Sequence, residues 1–314
     1  MAKVWSEEPT IMPSPPLVPP SSVKERARGW LLGGPAAALL FSTLIVFNVL
    51  QTATLLVKPF SQKAFRRLNR GMARLWWGWC ALGAEKIYHV RFVMSGDDVP
   101  PEENAIVVLN HQDMADITVM FSFARAKRRV GDLKWFVKDV IKYVPGVGWG
   151  MLFLDCLYIK RDWTEDRNLI RKVFEKILKY DVPIWLMLFA EGTRLRPQKL
   201  EQSRRYALGQ GRAPLRHVLF PRTKGFAATV ISLRGHLDAV YDVTIGYPQG
   251  VPTLWQWIRG YAREVHVHVR RFGMDRMPGR EEDLSEWLVQ RFEEKDVLLD
   301  GFYRTGSFPR PIAS

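Results

Sequence analysis

The residues best suited to chemistry stand in the stretch Asn110-His111-Gln112-Asp113-Met114-Ala115-Asp116, directly after the apolar run Ala105-Ile106-Val107-Val108-Leu109. Such a run reads as a buried strand. A histidine at its end can take a proton, and an acid close by can hold the ring and stabilise its cation. Spacing decides how the two could meet. Five residues along a regular helix set two side chains roughly 140° apart, facing away from each other. His111 and Asp116 therefore pair only if His111 lies in the strand-to-helix turn and Asp116 reaches back from the first helical turns. Asp113 is the rival partner, or else a helix cap. A purely structural turn would accommodate the same residues.

Two later stretches also follow apolar runs. In Phe189-Ala190-Glu191-Gly192-Thr193-Arg194, Arg194 offers a planar fork for phosphate oxygens and Thr193 a hydroxyl. Glu191 cannot bind phosphate as a carboxylate and is expected to hold a loop or a basic side chain. Gly192 serves backbone shape. In Phe220-Pro221-Arg222-Thr223-Lys224-Gly225-Phe226, Arg222 and Lys224 form a positive mouth for phosphates. Gly146 and Gly148, in Tyr143-Val144-Pro145-Gly146-Val147-Gly148-Trp149-Gly150, do not make a dinucleotide fingerprint; small residues there let a ligand or another backbone come close. No nucleophile elbow, Walker loop, His-Glu-x-x-His block or internal repeat is present. Cys80 and Cys156 lack metal spacing and read as small buried hydrophobes. His266 and His268 alternate along a valine-rich strand and read as exposed positions rather than metal ligands.

As an ordered set these blocks resemble the glycerolipid acyltransferase family, with its Asn-His-x-x-x-x-Asp and Glu-Gly-Thr-Arg motifs. The wording is most similar to the 1-acylglycerol-3-phosphate acyltransferases and the related lysocardiolipin-type enzymes. Pro221 to Phe226, Ala239-Val240-Tyr241-Asp242-Val243-Thr244 and the tail from Trp287 to Pro309 carry that likeness, the tail through Arg291-Phe292, Glu294-Lys295 and Phe302-Tyr303-Arg304-Thr305-Gly306. The resemblance covers roughly residues 75 to 310. It implies a membrane-bound enzyme that moves a fatty acyl chain from acyl-CoA to the free hydroxyl of 1-acylglycerol 3-phosphate, giving phosphatidate. His111 would be the general base and Asp116 its orienter, with Glu191, Gly192, Thr193 and Arg194 binding the acceptor. Gly146 to Arg161 matches the second motif, and Arg161 would contact the acceptor phosphate. Arg222 and Lys224 would meet phosphates of the acceptor or of coenzyme A.

Acyl transfer from a thioester needs no enzyme nucleophile, because the thiolate leaves readily. It needs a base, an orienter, an oxyanion donor and a grip on the acceptor. Backbone amides at the start of the helix after His111 are the expected oxyanion donors. Acyl-CoA is a co-substrate; no cofactor and no metal are expected. The sequence departs from the family wording at Ala190, where a proline is common, and at Gln112-Asp113-Met114. Neither change removes an ionisable role. The second leaves other acceptors open, such as lysocardiolipin or lysophosphatidylinositol. A reading from a different class is a non-catalytic, basic membrane-binding protein.

The elements that must position these residues follow from composition and patterning. The net charge of +14, with 46 basic against 32 acidic residues, calls for an anionic partner. Twelve tryptophans and a long apolar stretch favour a membrane over nucleic acid. Residues 1–28 form a Pro/Ser-rich tail expected to be disordered, whose polar, acidic start is unlike a cleaved secretory signal. Residues 29–58 are a transmembrane or re-entrant helix, starting properly at Gly33-Gly34-Pro35. Residues 59–87 mix Arg66, Arg67, Arg70 and Arg74 with Trp76, Trp77 and Trp79. They read as an interfacial helix, or as a core helix with a solvated basic face. The larger basic cluster after the apolar helix places the main domain on the cytoplasmic side, at the endoplasmic reticulum or a bacterial inner membrane. Within 88–275, strands are predicted at Ala105–Leu109, Trp135–Val137, Leu154–Ile159, Pro183–Phe189, Ala239–Ile245 and Glu264–Arg270. Helices are predicted at Asp116–Lys127, Glu165–Lys179 and Leu200–Gly209. The alternation gives an α/β fold, a mixed sheet flanked by helices, with an N-terminal membrane helix motif. Residues 276–314 add a terminal helix with Leu284, Leu288 and Phe292 on one face.

Overall fold

Ala105–Leu109 and Ala239–Gly246 are buried along their whole length, as uninterrupted strands covered on both faces must be. The computed structural model describes residues 14–160 and 163–309. Two helices lead, α1 (Val23–Ala53) and α2 (Gln62–Leu82). Then come β1 (Arg91–Gly96), β2 (Ala105–Leu109), α3 (Ala115–Ala126), β3 (Leu133–Lys138), α4 (Val147–Leu152), β4 (Leu157–Ile159) and α5 (Trp163–Lys179). They are followed by β5 (Trp185–Phe189), α6 (Pro197–Gly209), α7 (Thr223–Leu233), β6 (Ala239–Gly246), α8 (Leu254–Ile258) and β7 (Glu264–Gly273). The last helix is α9 (Glu281–Thr305).

The sheet order is β1-β7-β6-β2-β5-β3-β4, parallel throughout except between β6 and β7. Register does the positioning. Leu109 lies opposite Phe189 on one side and Val243 on the other. The residues that follow, Asn110 on one strand and Ala190 on the next, therefore emerge at one carboxyl edge, where α/β sheets place their sites. Alternate residues of β2 serve two apolar layers. Ala105, Val107 and Leu109 join α2 and α3; Ile106 and Val108 join α5, α7 and α9.

Several expectations need correction. Residues 14–22 are not a loose tail: Pro16 bridges to Val251, the Leu17 amide donates to the Val251 carbonyl at 2.9 Å, and the Leu17 side chain is buried. Residues 1–13 lie outside the described residues. Helix α1 starts at Val23 and runs through Pro35 rather than starting there. Pro35 forfeits one helical hydrogen bond, while Gly29 and Gly33 let the helix close onto Tyr261 and Arg259. Helix α2 packs into the core through Phe65, Asn69, Ala73, Trp77 and Ala81. Its basic residues Arg66 and Arg70 pair with Asp155 and Asp132 of the domain. His266 and His268 are buried beside Phe302 and Phe308, not exposed. Strand β1 was missed because its residues are half exposed at a sheet edge.

One ion cluster sits inside the fold. Lys295 of α9 and Asp242 of β6 are both fully buried, with Nζ 2.7 Å from Oδ1, and Arg270 of β7 meets the other carboxylate oxygen at 2.5 Å. Burial opposes ionisation of Asp242, but the charges of Lys295 and Arg270 outweigh it and lower its pKa. Asp242→Ala would leave Lys295 buried without its counter-charge, with an expected cost of about 3–5 kcal/mol. The check is the urea midpoint, which should fall; an unchanged midpoint would show that the pair is dispensable.

Candidate active site

The turn after β2 is built by Asp116. Placed in the first turn of α3, its carboxylate folds back over the turn. Oδ2 accepts the backbone N–H groups of Gln112 at 2.7 Å and Asp113 at 3.0 Å, and lies 3.0 Å from His111 Nδ1. Oδ1 accepts the Tyr247 hydroxyl at 2.8 Å. An ionised carboxylate only accepts, so Nδ1 carries the ring proton and Nε2 keeps its lone pair. The His111 ring lies on Phe189, with centroids 4.0 Å apart and planes at 24°. Five residues of separation thus close on each other because His111 precedes the helix. Asp113 is not the partner of His111.

Glu191 fastens this turn to the next loop. Its Oε1 accepts the His111 backbone N–H at 2.6 Å and its Oε2 the Leu219 N–H at 2.9 Å. Burial, partly offset by those two donors and reinforced by Asp116, pushes its pKa up to about 8. The expectation that Glu191 holds a loop is met. Gly192 has φ +69°, and a Cβ there would sit 2.9 Å from Arg222 Nε. Only glycine fits that left-handed turn with the Arg222 side chain against it. The Arg222 amide donates to the Ala190 carbonyl at 2.8 Å, so the loop before α7 lies along the Glu191–Arg194 turn.

The cations gather around Asp113. Its Oδ2 meets Arg196 Nη2 at 2.6 Å, and its Oδ1 lies 3.5 Å from Arg194 Nη1. Both guanidinium groups remain more than two-fifths exposed, open to an incoming anion. Thr193 is half-buried in the same turn, and Lys224 is exposed in the first turn of α7. Arg161 lies outside the described residues. Gly146 and Gly148 lie against protein: added Cβ atoms would strike the Leu44 side chain at 2.9 Å and the Ile141 carbonyl at 1.8 Å. The close approach there is protein against protein.

Three of the amides that lead into α3 are engaged within the turn itself. The amides of Gln112 and Asp113 are taken by Asp116, and that of Met114 by the Asp113 side chain. Those three amides are held by the turn's own acids. Sequence reasoning missed four supports. The Asn110 amide exchanges two hydrogen bonds with the Ile245 backbone, at 3.0 and 2.8 Å, tying the end of β2 to β6. Tyr247 orients Asp116, Gln112 lies 3.1 Å from the Tyr303 hydroxyl of α9, and Arg196 shares Asp113. For Arg196, the second arginine in Arg194-Leu195-Arg196, the signal was in plain view. Among the described residues, no group of three or more His, Cys, Asp or Glu could hold a metal ion.

Comparison with known proteins identifies relatives of the chain. A family profile described as Acyltransferase matches residues 91–248, and one described as Acyltransferase C-terminus matches residues 256–313. The probable 1-acyl-sn-glycerol-3-phosphate acyltransferase 5 of Arabidopsis thaliana is 34% identical over 77% of this chain and 66% of its own length. The 1-acyl-sn-glycerol-3-phosphate acyltransferase 2 of Brassica napus is 31% identical over 89% of this chain and 76% of its own. The human 1-acyl-sn-glycerol-3-phosphate acyltransferase delta is 31% identical, over 84% and 71% respectively. The crystal structure of the 1-acyl-sn-glycerophosphate (LPA) acyltransferase PlsC from Thermotoga maritima shares the fold. Its TM-score is 0.50, with 16% identity over 88% of this chain and 97% of that one.

Glu191 gives a signed test. Its folded pKa, about 8, lies above the ordinary 4.5, so the folded state holds a proton that the unfolded state has lost. The stability that this proton contributes is complete at low pH and drains away as pH rises between those values. Glu191→Gln removes the titration and turns an amide against one of two backbone donors, a loss of about 1–3 kcal/mol. The Tm gap between wild type and this variant is expected to be widest near about pH 5 and to narrow by about pH 8. A gap that stays constant, or widens, would contradict it.

Proposed function

We propose that this chain, which belongs to the acyltransferase family, transfers a fatty acyl group from acyl-CoA to the free hydroxyl of 1-acyl-sn-glycerol 3-phosphate, forming phosphatidate. The observation that carries this reading is the 3.0 Å His111–Asp116 contact on the same turn whose Asp113 gathers Arg194 and Arg196. His111 Nε2 takes the proton of the glycerol hydroxyl as its oxygen attacks the thioester carbonyl. The C–S bond then breaks, and the thiolate of coenzyme A takes the proton from the imidazolium. Asp116 fixes the tautomer and stabilises the cation. Arg194 and Arg196 receive the acceptor phosphate through charge-assisted hydrogen bonds, with Thr193 and Arg222 beside them.

The lipid tails of donor, acceptor and product favour work at a membrane surface. Val23–Leu56 is long and apolar enough to cross a bilayer, yet one domain holds the helix at two distant points. Gly29 abuts Tyr261 near its start, and Gln51 Nε2 donates to the Gly150 carbonyl near its end. Those points are about 33 Å apart along the helix axis. A helix tied in this way lies along its domain and dips into one leaflet. Exposed Lys58, Lys63 and Arg67 suit the anionic cytoplasmic leaflet.

The test uses the full chain, labelled acyl-CoA and a panel of lysolipids, with His111→Ala beside wild type. Product from lysophosphatidate, lowered about 10²–10⁴-fold in the variant, is the expected result. Preference for lysocardiolipin or lysophosphatidylinositol would keep the chemistry and replace the acceptor. Absence of His111-dependent product from any acceptor would overturn the reading and leave a basic membrane-binding protein.

A further inference from the structure

We infer that residues 140–152 are a second membrane-seated element, covered by the same lipid leaflet as α1. Six apolar or aromatic side chains in this short segment stand in the open: Val140 64%, Tyr143 72%, Val144 43%, Val147 46%, Trp149 45% and Leu152 54% exposed. Scattered exposed hydrophobics are ordinary; a contiguous cluster marks an interaction surface. From Tyr143 to Leu154 the sequence holds no charged residue. Lys142, just outside that stretch, is neutralised by both oxygens of Asp139 at 2.7 Å. Tyrosine and tryptophan are the side chains that settle at the headgroup boundary.

What covers this cluster follows from its neighbour. Gly146 brings the segment close to Leu44 of α1, and Gln51 of α1 donates to the Gly150 carbonyl at 3.3 Å. The exposed Phe41, Val46, Val49 and Leu50 of α1 extend the apolar surface along the helix. Any bilayer that receives α1 therefore meets residues 140–152, and this inference rests on the membrane reading of α1. The tie between segment and helix is polar and buried: Gln51 Nε2 donates to the Gly150 carbonyl, while Asn48 Nδ2 of the same helix donates to Gln51 Oε1 and holds that side chain in place. The two elements therefore present one surface.

The placement also serves the reaction. The segment leaves the sheet at Lys138, the end of β3, which runs parallel to β5. It thus departs from the carboxyl edge that bears His111. Seating it in lipid sets the mouth of the site at the leaflet from which a lysolipid must come.

The experiment attaches an environment-sensitive fluorophore, NBD, to cysteines at Tyr143→Cys and Leu152→Cys in the full chain. Leu39→Cys on the exposed face of α1 and Val297→Cys on α9 are the lipid and water references. The native thiols are shielded, Cys156 buried and Cys80 half-buried, with burial pushing them up to about 11 and about 12. The unsubstituted chain sets the labelling background. Phosphatidylcholine–phosphatidylglycerol vesicles with doxyl-labelled acyl chains are expected to blue-shift and quench positions 143, 152 and 39, and to leave 297 unchanged. Quenching at 39 alone would overturn the inference while keeping α1 as the anchor. Quenching at none would overturn both the inference and the membrane reading. A blue shift without vesicles that grows with protein concentration would mean that a second copy covers the patch, and would overturn it as well.

Discussion

The structure of the site depends on one buried carboxylate. Asp116 has no exposed surface and collects four donors: two backbone amides, the Tyr247 hydroxyl and the His111 ring. A buried charge is tolerated only where such partners replace water. Those partners also lock the turn between β2 and α3 into one shape. Structure and chemistry therefore share an atom, since the oxygen that shapes the turn also orients the imidazole. The amides of Gln112, Asp113 and Met114 are taken up by the turn's own acids, and the exposed guanidinium groups beside it belong to the neighbouring loop.

That neighbouring loop is held by a second buried acid with a different task. Glu191 touches no cation; its two oxygens join the His111 amide to the Leu219 amide. Burial costs are met there chiefly by those two hydrogen bonds, with a smaller contribution from the charge of Lys295, and the raised pKa records what remains of the cost. The parallel register of β2, β5 and β6 brings both acids to one sheet edge, and the Asn110 clamp onto Ile245 keeps the strands from sliding apart. Deeper in, Lys295 and Arg270 neutralise Asp242 and fix α9 and β7 to β6.

Much of this was legible in the sequence, for physical reasons. Largely apolar runs located β2, β5 and β6, because strands covered on both faces are built mainly of apolar residues, β6 admitting the buried Asp242 and Thr244. Their ends located His111 and Glu191. Helical spacing alone required His111 to precede α3 for Asp116 to reach it, and it does. What could not be read was anything decided by partners distant in the chain. Tyr247 and Tyr303 stand more than a hundred residues beyond the turn they support. Lys295 looks like a surface lysine until the fold buries it against Asp242, although an acid within the apolar run Ala239 to Val243 was a hint. The edge strand β1 escaped because half-exposed strands carry no sharp period. Pro35 misled because close helix packing, which local sequence does not reveal, outweighs one lost hydrogen bond.

The central claim is that Asp116 holds the His111 ring with its proton on Nδ1, leaving Nε2 free to act as the base. The most direct measurement is ¹⁵N NMR of histidine-labelled full chain, with the His111 resonance assigned by its loss in His111→Gln. The account predicts that the neutral ring carries its proton on Nδ1 and leaves Nε2 unprotonated. A ring protonated at Nε2, with Nδ1 bare toward the carboxylate, would contradict it.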